Sequence, residues 1–357
     1  MPTSLDLRAA TPTPDVAVRP PRWPALVAGG YGAACAALLA AWWLLGDTWV
    51  TQTLNATTFW WSLPGLPLAA IAGVRRRWRL AAWLAVPAAT FVYSFGPFFV
   101  GSPPPVRGEL RVAAYNTFIR APDVSHIVAL VRDERPDVLI LEEVLPQPAV
   151  LLRRSLADRL PHVWVSESSR VGGVAVLSRY PITEVRPIAK AGRVSRPTAV
   201  VVLDLGNRPR SDLPARTAGG DRSGGQHRVQ VVPVHLTSPC PSCGESVLGR
   251  QAFEAGIRRQ ETEAIIRSLD TNLPAIVAGD FNSTSRNDPY RLLVSAGFVD
   301  AQLEAGSGPG FTWPDRSPPL LRLDWIFSRG LVPADALVGP ARASDHRPVI
   351  ADLAWPE

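Results

Sequence analysis

Leu273-Pro-Ala-Ile-Val-Ala-Gly-Asp280-Phe-Asn282 is the stretch on which the reading of this chain turns. Its first half is a short apolar run of the kind that forms a buried strand. Its second half places a carboxylate and an amide two residues apart, just past the strand end. Side chains on extended backbone alternate faces, so Asp280 and Asn282 can point to one side. Taken alone, Asp and Asn in that position are commonest as turn formers. The arrangement gains weight because it recurs: Tyr115-Asn116, Glu142-Glu143, His235 and Asp345-His346 each sit at the end of another apolar run.

Outward from that stretch, strands and helices alternate from about Arg107 to the end. Strands are expected at 110–115, 138–141, 163–166, 174–178, 198–205, 228–235, 275–278, 325–328 and 349–353, with helices at 125–135, 148–160 and 245–269. Runs of strands with helices between them predict two packed sheets with helices outside. The Gly-, Arg-, Asp- and Ser-rich insert 206–227 reads as a loop.

The first hundred residues have a different character. Segments 24–45 and 80–100 are apolar and long enough to cross roughly 30 Å of hydrocarbon as helices. Segment 54–74 contains Asn55, Pro64 and Pro67 but no charge. Arg8, Arg19 and Arg22 precede the first segment, Arg75, Arg76, Arg77 and Arg79 precede the last, and loop 46–52 has no basic residue. Arg-rich flanks stay cytoplasmic, so both clusters lie inside only if the middle segment also crosses. The expectation is a cytoplasmic tail (1–23), three spans (24–100), a Pro-rich linker (101–106) and an extracytoplasmic domain (107–357), a multi-pass protein of the cell membrane.

Charge supports this division. The chain carries a net +6, but seven arginines against three acids put +4 of it in the first hundred residues. The remainder holds 30 basic and 28 acidic residues and lacks the basic footprint of a phosphate-tracking nucleic-acid binder. Cys240 and Cys243 have C-x-x-C spacing with no second pair, which argues against zinc and leaves a small disulfide open.

Acids, amides and imidazoles converging on strand ends suit a hard divalent cation. Such an ion takes oxygen ligands and binds through one or two carboxylates plus a substrate phosphate. Nearby histidines supply general base or electrophilic groups near neutral pH.

Seven segments, in order, carry a resemblance: Arg111-Val-Ala-Ala-Tyr-Asn116; Pro136-Asp-Val-Leu-Ile-Leu-Glu-Glu143; Gly173-Val-Ala-Val-Leu-Ser-Arg-Tyr-Pro-Ile182; Val232-Pro-Val-His235-Leu; Gly279-Asp280-Phe-Asn282; Arg322-Leu-Asp324-Trp-Ile-Phe; and Ser344-Asp345-His346-Arg-Pro-Val. Together, residues 107–357 resemble the endonuclease/exonuclease/phosphatase superfamily, which spans DNase I-like nucleases, bacterial sphingomyelinases and inositol-polyphosphate phosphatases. The resemblance implies a four-layer α/β sandwich and a phosphoesterase dependent on Mg²⁺ or Mn²⁺. It implies that Glu143, with Asn116 and Asp345, holds the metal, and that His346 pairs with Asp324. It implies further that Asp280 and Asn282 orient water and phosphate, and that His235 donates to the scissile phosphate. Whether Asp280 or His346 takes the proton stays open.

Two departures stand out. Glu142 occupies the place of the family's usual glutamine, as a second ligand or only a neighbour. Stretch 167–172 lacks the phosphate-contacting Tyr of nuclease members and offers Arg170 instead. The expected partners are a phosphoester substrate and the membrane. A lipid-linked phosphoester is favoured over nucleic acid, and a surface nuclease and a silent binding module are the alternatives.

Overall fold

The computed structural model describes residues 23–48, 51–100, 108–118, 123–166, 172–192, 195–206, 227–238, 247–315 and 318–356; within 247–255 only the backbone is described. Arg170, Cys240, Cys243, the linker and most of the 206–227 insert lie outside the described residues.

Five helices come first: α1 (Trp23–Leu45), α2 (Thr51–Ala56), α3 (Thr58–Ser62), α4 (Gly65–Val74) and α5 (Trp78–Phe95), the last followed by a 3-10 turn, Gly96–Phe99. Among the described residues, α1 and the stretch Trp78–Phe99 are the two that are long and apolar enough to cross a membrane. The single middle helix expected over 54–74 is instead broken into α2, α3 and α4. Leu63 and Pro64, between α3 and α4, both keep right-handed helical backbone, and Pro64, having no N–H, interrupts the hydrogen-bond ladder there. Helix packing here relies on missing side chains. A Cβ on Gly32 would lie 2.3 Å from the Trp83 carbonyl, and one on Gly65 would lie 2.6 Å from the Ala88 nitrogen.

Twelve strands and five more helices follow: β1 (Leu110–Asn116), α6 (Ser125–Glu134), β2 (Val138–Val144), α7 (Pro146–Ser155), β3 (His162–Val165), β4 (Gly173–Ser178), β5 (Ile182–Pro187), β6 (Ala199–Asp204), β7 (Arg228–His235), α8 (Val247–Ser268), β8 (Ala275–Asp280), α9 (Asp288–Ser295), β9 (Val299–Asp300), α10 (Ala301–Ala305), β10 (Asp324–Arg329), β11 (Val332–Val338) and β12 (Val349–Ala354). They form two six-stranded mixed sheets, ordered β11-β12-β1-β2-β4-β3 and β5-β6-β7-β8-β10-β9. β5, β9 and β11, at sheet edges, were not anticipated; β5 alternates half-buried and exposed residues, a weak apolar signal.

Three apolar layers hold the sandwich. Val112, Ala114, Val138 and Ile140 of the first sheet meet Val229, Val231, Ile276 and Ile326 of the second between the sheets. The alternate residues face outward. Ala113, Leu139 and Leu141 pack under α6 and α7, and Val232, Val277 and Phe327 pack under α8 and α9. The period of two thus assigns each strand residue to a layer, and the same parity places the site.

Candidate active site

Counting along that parity past the apolar residues gives Asn116 on β1, Glu142 on β2, His235 on β7, Asp280 on β8 and Asp324 on β10. Each therefore belongs to the inter-sheet face. β1 and β2 are parallel, as are β7 and β8, so their C-terminal ends lie together; register pairs Asn116 with Glu142 and His235 with Asp280. β10 runs antiparallel to β8 and pairs Asp324 with Asp280 at that same end. One mouth of an otherwise apolar layer is thus lined with titratable groups.

Glu143 breaks the parity. It adopts φ +59°, and the β2–β4 register shifts between Leu141 and Val144. This bulge turns Glu143 back beside Glu142, with its Oε1 3.4 Å from the Asn116 amide nitrogen. Gly172 accommodates it, because a Cβ there would lie 2.6 Å from the Glu143 backbone.

Asp280 is the hub. Its Oδ2 accepts from Asn116 Nδ2 at 3.1 Å, its Oδ1 accepts from the Asn282 backbone N–H at 2.8 Å, and His235 Nε2 lies 3.6 Å away. Asn282 turns at φ +48° and donates its amide to the Leu236 carbonyl at 3.0 Å. His346 Nδ1 meets Asp324 Oδ2 at 2.8 Å, and its Nε2 lies 3.9 Å from Asp280 Oδ2. Ser344 fixes this loop, with its Oγ donating to the Asn116 carbonyl and accepting the His346 N–H.

Electrostatics separate the two histidines. Burial pushes His235 well below its ordinary value, with Arg196 and His346 adding to the effect, so the ring is neutral and its nearby carboxylates are not ion-pair partners. Burial acts the same way on His346, but Asp324, Asp280 and Asp345 outweigh it, and the ring keeps its proton up to about 10. Asp280 is raised to about 6, by burial first and by Asp324, against the pull of His346. Glu142 is raised well above the usual range by burial and by Asp324, Asp280 and Glu143, and neither of its oxygens has a partner among the described residues.

Most of the expected residues meet here: Asn116, Glu142, Glu143, His235, Asp280, Asn282, Asp324 and His346. Asp345, expected to help hold the metal, adds to the field on the His346 ring, and its Oδ2 accepts from the Trp313 indole at 3.3 Å. Asp280, Asp324 and His346 bring carboxylate and imidazole atoms within 4.8 Å of one another. The donor set fits a hard cation: four carboxylates crowd one mouth, Glu142 is buried without a partner, and Asp324 Oδ1 is likewise unpaired.

Sequence reading passed over Arg196. Its guanidinium is buried, donates to the Leu236 carbonyl at 3.1 Å and feels the fields of Asp280 and Glu143. With Ser195 and His235 it lines an open cleft of about 390 Å³. An Arg before an apolar strand is unremarkable in sequence, and the long insert hides its relation to His235.

Comparison with known proteins agrees with this architecture. The family model for the Endonuclease/Exonuclease/phosphatase family matches residues 113–346. YbhP of Escherichia coli K12, an uncharacterized protein, is 30% identical over 187 residues; the match covers 51% of this chain and spans only 62% of that relative's length. A Bacteroides vulgatus protein titled endonuclease/exonuclease/phosphatase shares the fold at 20% identity and TM-score 0.51, covering 69% of this chain and 99% of its own. A Neisseria 3′ phosphatase bound to a product DNA hairpin does so at 18% and 0.50, covering 69% and 100%. With paired sheets and a buried Asp280/Asp324/His346 cluster inside the matched span, the chain belongs to the endonuclease/exonuclease/phosphatase family.

Proposed function

We propose that the protein is a membrane-anchored phosphoesterase that uses Mg²⁺ or Mn²⁺ to hydrolyse a phosphodiester or phosphomonoester by in-line attack of water. The observation that carries this reading is the opposed charge state of neighbouring groups. His346 is held cationic while Asp280, beside it, titrates near 6. A carboxylate that takes a proton near neutrality suits a general base, and a permanent imidazolium suits stabilisation of charge on the transferring phosphoryl group. In these roles Asp280 takes the proton from water, Asn282 and Asn116 fix the carboxylate and a phosphate oxygen, and neutral His235 donates to the phosphate. Asp324 keeps His346 charged. Glu143, with Asp280 and Asp324 nearby and Glu142 behind them, would hold the metal, which when bound supplies Lewis-acid charge stabilisation.

The division into tail (1–23), three spans (24–100), linker (101–106) and extracytoplasmic catalytic domain (107–357) is part of the same proposal. It is supported by contact. The loop after α1 and the turn after α5 both touch the catalytic domain: Asp47 Oδ1 accepts from Asn287, and Phe98 O accepts from the Gly308 N–H. Both lie on the domain's side if α2–α4 return the chain across the bilayer. Arg75, Arg76 and Arg77 fall at the turn between α4 and α5, on the other side. Such an anchor keeps the mouth near lipid, which favours a lipid-linked substrate over nucleic acid.

The test is hydrolysis of bis-p-nitrophenyl phosphate by the full chain in detergent, stripped with EDTA and then given Mg²⁺ or Mn²⁺. Turnover should require the metal and vanish in His346→Ala; turnover in EDTA, or retained in that variant, overturns the reading. A panel of phospholipids, inositol phosphates and DNA over a salt series then separates the substrate classes, because nuclease activity should fall steeply with salt.

A further inference from the structure

The loop between α1 and α2 is bound to the catalytic domain by buried polar groups, and every strand of that network leads to a loop carrying site residues. Gln52 accepts from Arg258 Nη2 at 2.5 Å, and Arg258 also donates to the Thr237 carbonyl at 3.2 Å. Thr237 lies two residues after His235, and both its N–H and its hydroxyl donate to Glu261. Asp47 is the only acid between residues 16 and 100. Its Oδ1 accepts from Asn55 Nδ2 at 2.9 Å and Asn287 Nδ2 at 3.0 Å, and its Oδ2 accepts from the Asp288 N–H at 2.7 Å. The last contact places a carboxylate on the first N–H of α9, whose own flanking residue, Asn287, makes no side-chain cap. Asn287 also donates to the Gln52 carbonyl, and its Oδ1 accepts from the Thr284 N–H, two residues past Asn282.

A second patch grips the segment before Asp324. Trp60 donates its indole N–H to the Leu320 carbonyl and stacks on Phe311. The next residue, Thr312, accepts from the Leu323 and Asp324 N–H groups. Gln52, Asn55, Arg258 and Asn287 are each at most 5% exposed. A tether that merely rests on a domain does not bury matched polar groups, since each left unmatched costs its full desolvation.

We propose that Gln52 and Asp47 are positioning residues of the active site: the membrane region clamps the loops that begin at His235 and Asn282 into their working geometry. The anchor is on this reading a working part of the enzyme. The kinetic test rests on the phosphoesterase reading, so a second readout accompanies it.

The experiment compares Gln52→Ala, Gln52→Glu and Asp47→Ala with the wild-type full chain in detergent. It measures kcat and KM on bis-p-nitrophenyl phosphate, and hydrogen exchange in peptides covering 236–238 and 284–288. Gln52→Ala should lower kcat about tenfold with KM nearly constant, the scale of one lost charge-assisted hydrogen bond. Gln52→Glu keeps an acceptor for Arg258 and should restore most of it. Asp47→Ala should accelerate exchange at 284–288 above all. An unchanged kcat in Gln52→Ala, or a Glu variant as impaired as the Ala variant, overturns the proposal. If the wild type hydrolyses nothing, the function proposed above fails and exchange alone decides. Faster exchange in both peptides then upholds the clamp, and unchanged exchange refutes it.

Discussion

The two sheets bring unequal halves to the site. The second sheet supplies His235, Asp280, Asn282 and Asp324, and holds Asp280 and Asn282 with hydrogen bonds and Asp324 against His346. The first sheet supplies Asn116, which donates across to Asp280, Glu142, buried without a partner among the described residues, and Glu143, which reaches the mouth only through a left-handed residue in a bulge. One half is organised by hydrogen bonds between protein groups. The other is organised by backbone shape and presents carboxylates that fit the cation of the proposed reading. On that reading proton handling and cation holding are built by separate means, and mutations should tell them apart.

The largest effect should come from Asp280→Asn, which removes the proposed base. A drop in kcat of about 10³-fold is expected, and raising the metal concentration should not reverse it. Recovery at high metal would erase the distinction between the halves. Next is Gly279→Ala, where the two sheets meet most closely. Gly279 has φ +135°, and a Cβ there would lie 2.1 Å from the Val234 carbonyl and 2.4 Å from Glu142 Oε1. A loss of about 3 kcal/mol in stability is expected, read as a lowered thermal midpoint. A midpoint unchanged by the methyl group would mean the sheets give way more easily than their contacts imply. Smaller is Glu143→Gln, which should cost about a hundredfold at limiting Mg²⁺ and recover substantially at high Mg²⁺. A loss independent of metal would move Glu143 to the other half.

How much of this was legible in the sequence follows from periodicity. Apolar runs ending in polar residues marked Asn116, Glu143, His235 and Asp280, and strand alternation put Asp280 and Asn282 on one side, whereas Asp324, which opens β10, was reached only through the family resemblance. The four-layer order of the catalytic sandwich was legible for the same reason, since apolar runs bounded by turn residues mark central strands. What escaped depends on contacts that carry no local pattern. The bulge at Glu143 is accommodated by Gly172, just before β4. Arg196 reaches its place across the 206–227 insert, and Asp345 accepts from the indole of Trp313, a residue distant in sequence. The interruption at Pro64 was foreshadowed by the sequence, but the seat of the N-terminal helices on the α/β domain was not. Asn55 looked like a polar flaw in an apolar segment and Gln52 like the end of a loop, whereas both belong to the buried polar network.

The smallest predicted change in rate, and the sharpest in sign, concerns Asp324→Asn. His346 is raised from 6.5 to about 10 in the fold, chiefly against its own burial and through Asp324 and Asp280. A raised imidazole contributes stability that is complete below the unfolded value and is lost as pH rises through the folded one. In the wild type that window runs from about pH 6.5 to about 10. With Asp324 neutralised, burial regains ground against the two remaining carboxylates, Asp280 and Asp345, so the upper edge moves down. Nitrogen NMR of the metal-free chain should follow this as a lower His346 midpoint, and the alkaline limb of kcat/KM should shift toward acid with it. His235, already neutral, should give no titration in the same range in either protein. A His346 midpoint left near 10 in the variant would mean that Asp280 and Asp345 sustain the charge without Asp324, and the 2.8 Å pair would then not be what holds the imidazolium.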